Sequence, residues 1–347
     1  MIEMIEKTLF TKEVICDEVK KHYGIEIKQI QVVNGGSANI YKLLSTEDKQ
    51  YILKEFQSKY SYQTILKEIH VIDFLKGKGL PVPEYVSCLD GKQYFEYGDK
   101  VVIIQNFIEG ETRKNYSGDQ EQLLESAKYL GMIVNALEEY PYHDMFQCDL
   151  KKYSSDEMID HAIKKHESLI TDAKNDKVHG EEILIDLQDK IEMLRAVKKS
   201  GIYKQFQHVT VKKTHGDYSV LQFIYDSNGH IKAIIDFVSA GELPIVWEIA
   251  RSYHYIDQDC RDGKFNIDHL TMYIEEYLKY SKLNKDDLKY LPYVYLAQVL
   301  SSAYGYKEYL KNKNLDLLHF GQDRTKMCRY LMDHSENISK RLLKIKC

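Results

Sequence analysis

Two short runs carry the residues best suited to chemistry. The first is Thr214-His215-Gly216-Asp217-Tyr218, followed by Val220-Leu221-Gln222-Phe223-Ile224-Tyr225. The second is Ile234-Ile235-Asp236-Phe237. Together they have the form of an H-x-D catalytic loop and a metal-binding Asp-Phe element placed after a strand. Phosphoryl transfer needs two carboxylates at this kind of separation. One orients or accepts the proton of an attacking hydroxyl, and the other holds the metal that bridges the phosphates. Between them, Phe223 to Tyr225 and Ile231 to Ile235 are predicted to pair across the turn Asp226-Ser227-Asn228-Gly229, whose residues favour a hairpin. That hairpin is expected to bring Asp217 and Asp236 to one cleft.

The elements that must position these residues can be read from periodicity. Residues 26–33, 40–45 and 50–56 alternate like strands, forming an antiparallel meander with the turn cluster Asn34-Gly35-Gly36-Ser37-Ala38-Asn39 at its first bend. Residues 62–76 have helical spacing and stop at Gly77 and Gly79, with Pro81 and Pro83 keeping the chain extended. Strands follow at 93–97 and 100–108, and Glu109-Gly110-Glu111 breaks the pattern. Beyond this point helices dominate. They are expected at 119–138, as an inserted pair within 155–200, and at 244–256, 266–281, 285–311 and 322–344, with a β patch at 209–238. The expected fold is α+β and two-lobed. Residues 1–109 make a small antiparallel β lobe with one helix, and residues 110–347 make a larger, mainly helical lobe.

The segment HGDYSVLQFIYDSNGHIKAIIDF resembles the catalytic segment of the aminoglycoside phosphotransferase and choline kinase superfamily, which has a protein-kinase-like fold. The resemblance covers roughly residues 26 to 256. It implies that Asp217 is the catalytic aspartate and Asp236 a metal ligand. Gln222 stands where the family usually has Asn, so a second metal contact there depends on a longer arm. Glu248, within Pro244-Ile245-Val246-Trp247-Glu248, matches an acidic position that braces the catalytic loop. Tyr51-Ile52-Leu53-Lys54 is similar to the strand whose lysine contacts the α- and β-phosphates. Glu68 is the natural partner of Lys54, because Asp73 has a shorter arm and faces elsewhere. Gly35, Gly36 and Ser37 take the place of a phosphate-covering turn. Gln105, Asn106, Phe107 and Ile108 match the inter-lobe hinge whose backbone binds adenine. The resemblance implies ATP or GTP as co-substrate, Mg2+, and a small hydroxylated acceptor such as an aminoglycoside, an aminoalcohol or a sugar. The alternative is a catalytically weak or silent nucleotide-binding relative of the spore-coat kind, which Gln222 favours and Lys54, Asp217 and Asp236 oppose. A protein kinase is disfavoured, because no Ala-Pro-Glu-like activation segment follows Asp236.

Composition narrows the setting. The 347-residue chain has a net charge of -5 and scattered basic residues, which argues against a nucleic-acid partner. No run is long and apolar enough to span a membrane, and the first residues lack a signal-peptide pattern. Cys16, Cys88, Cys148, Cys260, Cys328 and Cys347 show no metal-ligand spacing and fit a cytoplasmic protein. His215 reads as a structural, buried histidine and Trp247 as a core residue. Tyr253, His254, Asp257, Asp259 and Asp262 read first as a solvated helix end and second as acceptor contacts.

Overall fold

The computed structural model describes residues 6–33, 38–142, 146 and 148–346. Gly35, Gly36 and Ser37 lie outside the described residues. The chain divides into two compact units, Met1–Thr112 with Gln222–Ala240, and Arg113–Leu221 with Gly241–Cys347.

The first unit begins with helix α1 (Lys12–Tyr23), where the sequence analysis assigns no element. Thr11 caps its N-terminus and Gly24 ends it at φ 68°. Ile15, Val19 and Tyr23, spaced four apart, turn its buried stripe to the sheet. Strands β1 (Ile27–Val33), β2 (Asn39–Ser45) and β3 (Gln50–Glu55) form the antiparallel meander expected from their alternation. Helix α2 (Tyr62–Gly77) is capped by Ser61, and β4 (Phe95–Tyr97) and β5 (Lys100–Asn106) complete the sheet in the order β1-β2-β3-β5-β4. Tyr41, Leu43, Leu53, Val102 and Ile104 alternate inward and meet α1 in one core.

The second unit opens with α3 (Gln120–Glu138), whose Asp119 and Gln122 form a capping box. The inserted segment holds α4 (Lys151–Ser154), α5 (Asp156–Glu167), α6 (Ile170–Asn175) and α7 (Gly180–Ser200). Strand β6 (Val211–Thr214) leads into the His215-Gly216-Asp217 loop.

The chain then returns to the first unit. Strands β7 (Phe223–Tyr225) and β8 (Ile231–Ile234) pair as expected, with Phe223 opposite Ile234. Asp226 Oδ1 accepts from the N–H groups of Asn228 and His230, and Gly229 takes φ 86°, so the turn chemistry closes the hairpin. The whole of 110–347 was expected in one lobe. Gln222–Ala240 groups with the first unit because Glu111 and Tyr225 exchange both backbone hydrogen bonds and Ile234 N–H donates to Pro81 O. A Cβ at Gly110 would stand 2.4 Å from Tyr225 O, so this close approach needs glycine.

In the second unit again, β9 (Gly241–Pro244) pairs with β6 and runs into α8 (Ile245–Ile256). Helices α9 (Ile267–Leu278), α10 (Lys285–Ser301), α11 (Tyr304–Asn312) and α12 (Leu315–Leu342) finish the chain. The helix expected over 285–311 is thus two helices, and the one expected from 322 starts at Leu315. Among the described residues no helix is long and apolar enough to cross a membrane.

Candidate functional site

Three of the expected residues meet within the first unit. Lys54 is on β3, between inward-facing Leu53 and Glu55. Its Nζ lies 3.2 Å from Glu68 Oε1 on α2 and 2.8 Å from Asp236 Oδ1. It also sits 4.5 Å from the centre of the Phe56 ring. Glu68 is 1 % exposed, and Tyr85 donates to its Oε1 at 3.3 Å. Its Oε2 is buried without a hydrogen-bond partner. Asp73, the rejected alternative, instead accepts from Gln93. Two carboxylates therefore face one ammonium. Burial acts to lower the Lys54 pKa, but Asp236 and Glu68 outweigh it and hold it well above the usual lysine range. Burial raises Glu68, with Lys54 opposing and Asp236 adding to the rise. Lys54 thus stays charged.

Asp236 is held in an unusual way. Its backbone lies in the left-handed region, at φ 67° and ψ 59°, a conformation that disfavours residues with a Cβ but that Asp tolerates better than most. The turn Phe237–Ser239 packs under α2, and Phe237 is fully buried. The backbone N–H of Ile235 donates to Gln222 O at 2.9 Å, which sets Gln222 beside the residue preceding Asp236. A carboxylate and an amide make an oxygen donor set, which fits a hard divalent cation such as Mg2+.

The residues expected at a hinge, Gln105 to Ile108, sit at the end of β5 and just beyond. The Asn106 N–H donates to Glu84 O at 3.0 Å, and the Phe107 N–H donates to Gln50 O at 3.1 Å. Gln105 stands opposite Ile52 on one side and Tyr85 on the other. The Phe107 ring lies 3.7 Å from Lys42 Nζ. Among the described residues, the Ile108 N–H and C=O make no such bond, so both are left to offer.

The second unit holds the Asp217 loop. Glu248, on the first turn of α8, is fully buried. It accepts from the Thr214 hydroxyl, from the Gly216 N–H at 3.0 Å and from the Tyr218 N–H at 2.9 Å. Gly216 turns the loop at φ 82°. The Tyr218 hydroxyl reaches back to Ser126 O at 2.9 Å. His215 is fully buried, and its Nδ1 accepts from the Asp217 N–H at 3.3 Å, in keeping with a structural role.

Sequence reasoning missed Arg251. Its guanidinium pairs with Asp217 Oδ1, donates to Tyr218 O at 3.0 Å, and lies over the rings of Trp247 and Tyr255 at 5.8 and 5.2 Å. The available signal was spacing: Arg251 follows Glu248 by three residues, so one helix face serves one loop. Trp247 is only half-buried and stacks on this arginine instead of filling core. The helix end beyond is not solvated as expected. Tyr253 and His254 are fully buried and Asp257 nearly so, whereas Asp259 and Asp262 are exposed. Asp257, Asp259 and His269 gather their ligand atoms within 4.8 Å. His269 Nδ1 already stands 3.0 Å from Asp257 and 3.5 Å from Asp259, so the three satisfy one another.

Comparison with known proteins gives a consistent result. Residues 29–283 match the family described as APH, phosphotransferase enzyme family. No curated protein sequence matches the chain. Among solved structures, an amicoumacin kinase in complex with AMP-PNP, Ca2+ and Ami shares 15% identity, over 92% of this chain and 94% of that one, at a TM-score of 0.64. An aminoglycoside phosphotransferase from Alicyclobacillus acidocaldarius shares 12% identity, over 98% of each chain, at 0.67. A Plasmodium vivax ethanolamine kinase shares 14%, over 96% of this chain and 92% of that one, at 0.57. At these identities the likeness establishes the kinase-like fold.

Proposed function

We propose that this chain, which belongs to the phosphotransferase enzyme family, transfers the terminal phosphoryl group of ATP or GTP to a hydroxyl of a small molecule. The observation that carries this reading is the Lys54–Glu68–Asp236 cluster. A strand lysine, a helix glutamate and an aspartate at a hairpin exit, 182 residues from the lysine, converge in one unit. Ordinary surface charges have no reason to do so.

In this reading Lys54 binds the α- and β-phosphates, and Glu68 fixes its position. Glycines 35 and 36 with Ser37 cover the phosphates, and the Gln105–Ile108 hinge takes the base, with Ile108 as the backbone contact. Asp236 and Gln222 would hold Mg2+, which neutralises charge on the transferring group. Asp217 orients the acceptor hydroxyl and takes its proton. Glu248 keeps the loop in shape from behind. The nucleotide-binding role falls to residues 1–109 and the acceptor role to the second lobe. Neighbours of the same fold include kinases named for amicoumacin and ethanolamine, which supports a small hydroxylated acceptor.

The test is a transfer assay with ATP and GTP against aminoglycosides, aminoalcohols and sugars, run on wild type, Asp217→Ala and Asp236→Asn. Asp217→Ala is expected to stay folded and lose about 10²–10⁴-fold in turnover. Asp236→Asn is expected to weaken nucleotide binding more with Mg2+ than without. Wild-type turnover in a folded Asp217→Ala protein overturns the assignment.

A further inference from the structure

Four arginines of this chain are paired with acids, exposed Arg261 donates to Tyr116 O at 3.1 Å, and half-buried Arg324 stands apart from them. Arg195 meets Glu167 and Glu192, Arg251 meets Asp217, Arg329 meets Asp186 and Asp189, and Arg341 meets Asp268. Arg324, on α12, is half-buried, yet no carboxylate among the described residues lies in ion-pair range of it. Its Nη1 donates to the Tyr255 hydroxyl, and its guanidinium lies 5.2 Å from the centre of the Phe320 ring. Its Nε is buried without an acceptor. Taking a guanidinium out of water without an anion is costly, and its fork matches carboxylate or phosphate oxygens best.

The surroundings share this positive bias. Lys190 is 1 % exposed and donates to two carbonyls, Val299 O at 3.0 Å and Ser302 O at 2.8 Å, instead of to an acid. Burial, with Arg324 adding to it and Cys328 and Asp186 opposing, pushes its pKa down to about 8. Burial and the charges of Arg324 and Arg251 push His254 down to about 3. Tyr304 lies edge-on to Phe320, and its buried hydroxyl has no partner. Arg324 is also close to the Asp217 loop, since Tyr255 alone links it to Arg251. This stretch is aromatic and holds Lys190 and Arg324, neither of them paired with an acid among the described residues.

We propose that the acceptor carries an anionic group, a carboxylate or a phosphate, that binds Arg324 while its hydroxyl is presented to Asp217. The inference rests on the phosphotransfer reading and names its substrate class. A fork-on-anion contact at Arg324 supplies the missing counter-ion, with the Phe320 ring beside it for the carbon skeleton.

The experiment offers four acceptor pools with Mg·ATP to wild type, Arg324→Gln and Asp217→Asn. The pools are hydroxycarboxylates (glycerate, gluconate), sugar phosphates (glucose-6-phosphate), neutral polyols (ribose, inositol) and amines (kanamycin, ethanolamine). Thermal shift with each pool and AMP-PNP is measured in parallel. Turnover is expected in one of the two anionic pools, which tells carboxylate from phosphate. Arg324→Gln should raise KM there by about tenfold or more, the loss of roughly one charged contact. Turnover confined to amines or neutral polyols, or an unchanged KM in Arg324→Gln, overturns the acceptor class and leaves phosphotransfer standing. No turnover in any pool, with Asp217→Asn indistinguishable from wild type, overturns phosphotransfer. Thermal shift then decides the anion contact alone: stabilisation by an anionic pool that Arg324→Gln abolishes supports an anion bound at Arg324, and its absence overturns it.

Discussion

Removing the Glu248 carboxylate should loosen the Asp217 loop before it unfolds anything else. Three donors converge on that carboxylate: the Thr214 hydroxyl and the N–H groups of Gly216 and Tyr218. In Glu248→Ala the hydroxyl can rotate to a new acceptor, but the two backbone donors cannot. Each buried donor left unmade costs about 1–3 kcal/mol, so the local penalty is about 2–6 kcal/mol. That is a large share of the roughly 5–15 kcal/mol by which a typical protein is stable. Glu248→Gln retains one acceptor oxygen and turns an NH2 toward the other donor, so it should fall between Ala and wild type. Because a chain of two units need not unfold in one step, the assay is amide hydrogen exchange, read at Gly216 and Tyr218. Their protection should drop in the order wild type, Gln, Ala, while amides of β2 and β3 keep theirs. Displacing the loop by about 1 Å should also lower kcat by about 10²-fold. Unchanged protection at both amides in a folded Glu248→Ala protein would refute the bracing role.

Lys54→Ala should impair nucleotide use more than Glu68→Ala, since the lysine meets phosphate and the glutamate only positions it; calorimetry with ATP orders the two, and the reverse order contradicts the assignment. Gln222→Asn should keep Mg2+-dependent turnover, and Gln222→Ala should need more Mg2+; an unchanged Mg2+ titration in an active Gln222→Ala protein takes Gln222 out of the site. His166 should make the second unit acid-sensitive. It is fully buried, its Nδ1–H donates to Ala162 O at 2.7 Å, and burial with the Lys190 charge pushes its pKa down to about 4. Between about pH 6.5 and 4 the unfolded chain binds the extra proton, so stability falls as pH drops through that window. The loss from His166 is about 2–3 kcal/mol by pH 4.5; buried His254 adds its own loss in the same window, so urea unfolding should show a smaller acid loss in His166→Gln than in wild type, and equal slopes in the two proteins count against it.

The strands, α2, α3 and the hairpin were legible because their burial is periodic over many residues. Lys54, Glu68 and Asp236 were legible because residue type, element and order along the chain agree, and the geometry joins them. Helix α1 was equally patterned, with Ile15, Val19 and Tyr23 four apart, but its Lys and Glu content hides that stripe. The break between α10 and α11 could not be read locally. No Gly or Pro stands at Ser302 or Ala303, and the carbonyls freed there are taken by Lys190 from α7, more than a hundred residues away in sequence. Gly321 looks like a stop signal but lies inside α12, where a Cβ would meet the Tyr306 ring at 2.8 Å. Arg251 and Arg324 share this character, since one acts through a helix face and the other through the lack of an acid, and neither leaves a motif.

The return of Gln222–Ala240 to the first unit has a consequence for synthesis on the ribosome. The sheet of β1 to β5 is complete once Asn106 has emerged, yet Lys54 still lacks its second carboxylate, and α2 lacks the turn that covers it. Elongation at roughly 5–20 residues per second puts Asp236 several seconds behind. During that interval the nascent first unit exposes a surface made to receive the hairpin. Strong pausing codons between Thr112 and Gln222 should therefore lengthen its exposure to chaperones, and a permuted gene that places the hairpin segment directly after Thr112 should shorten it.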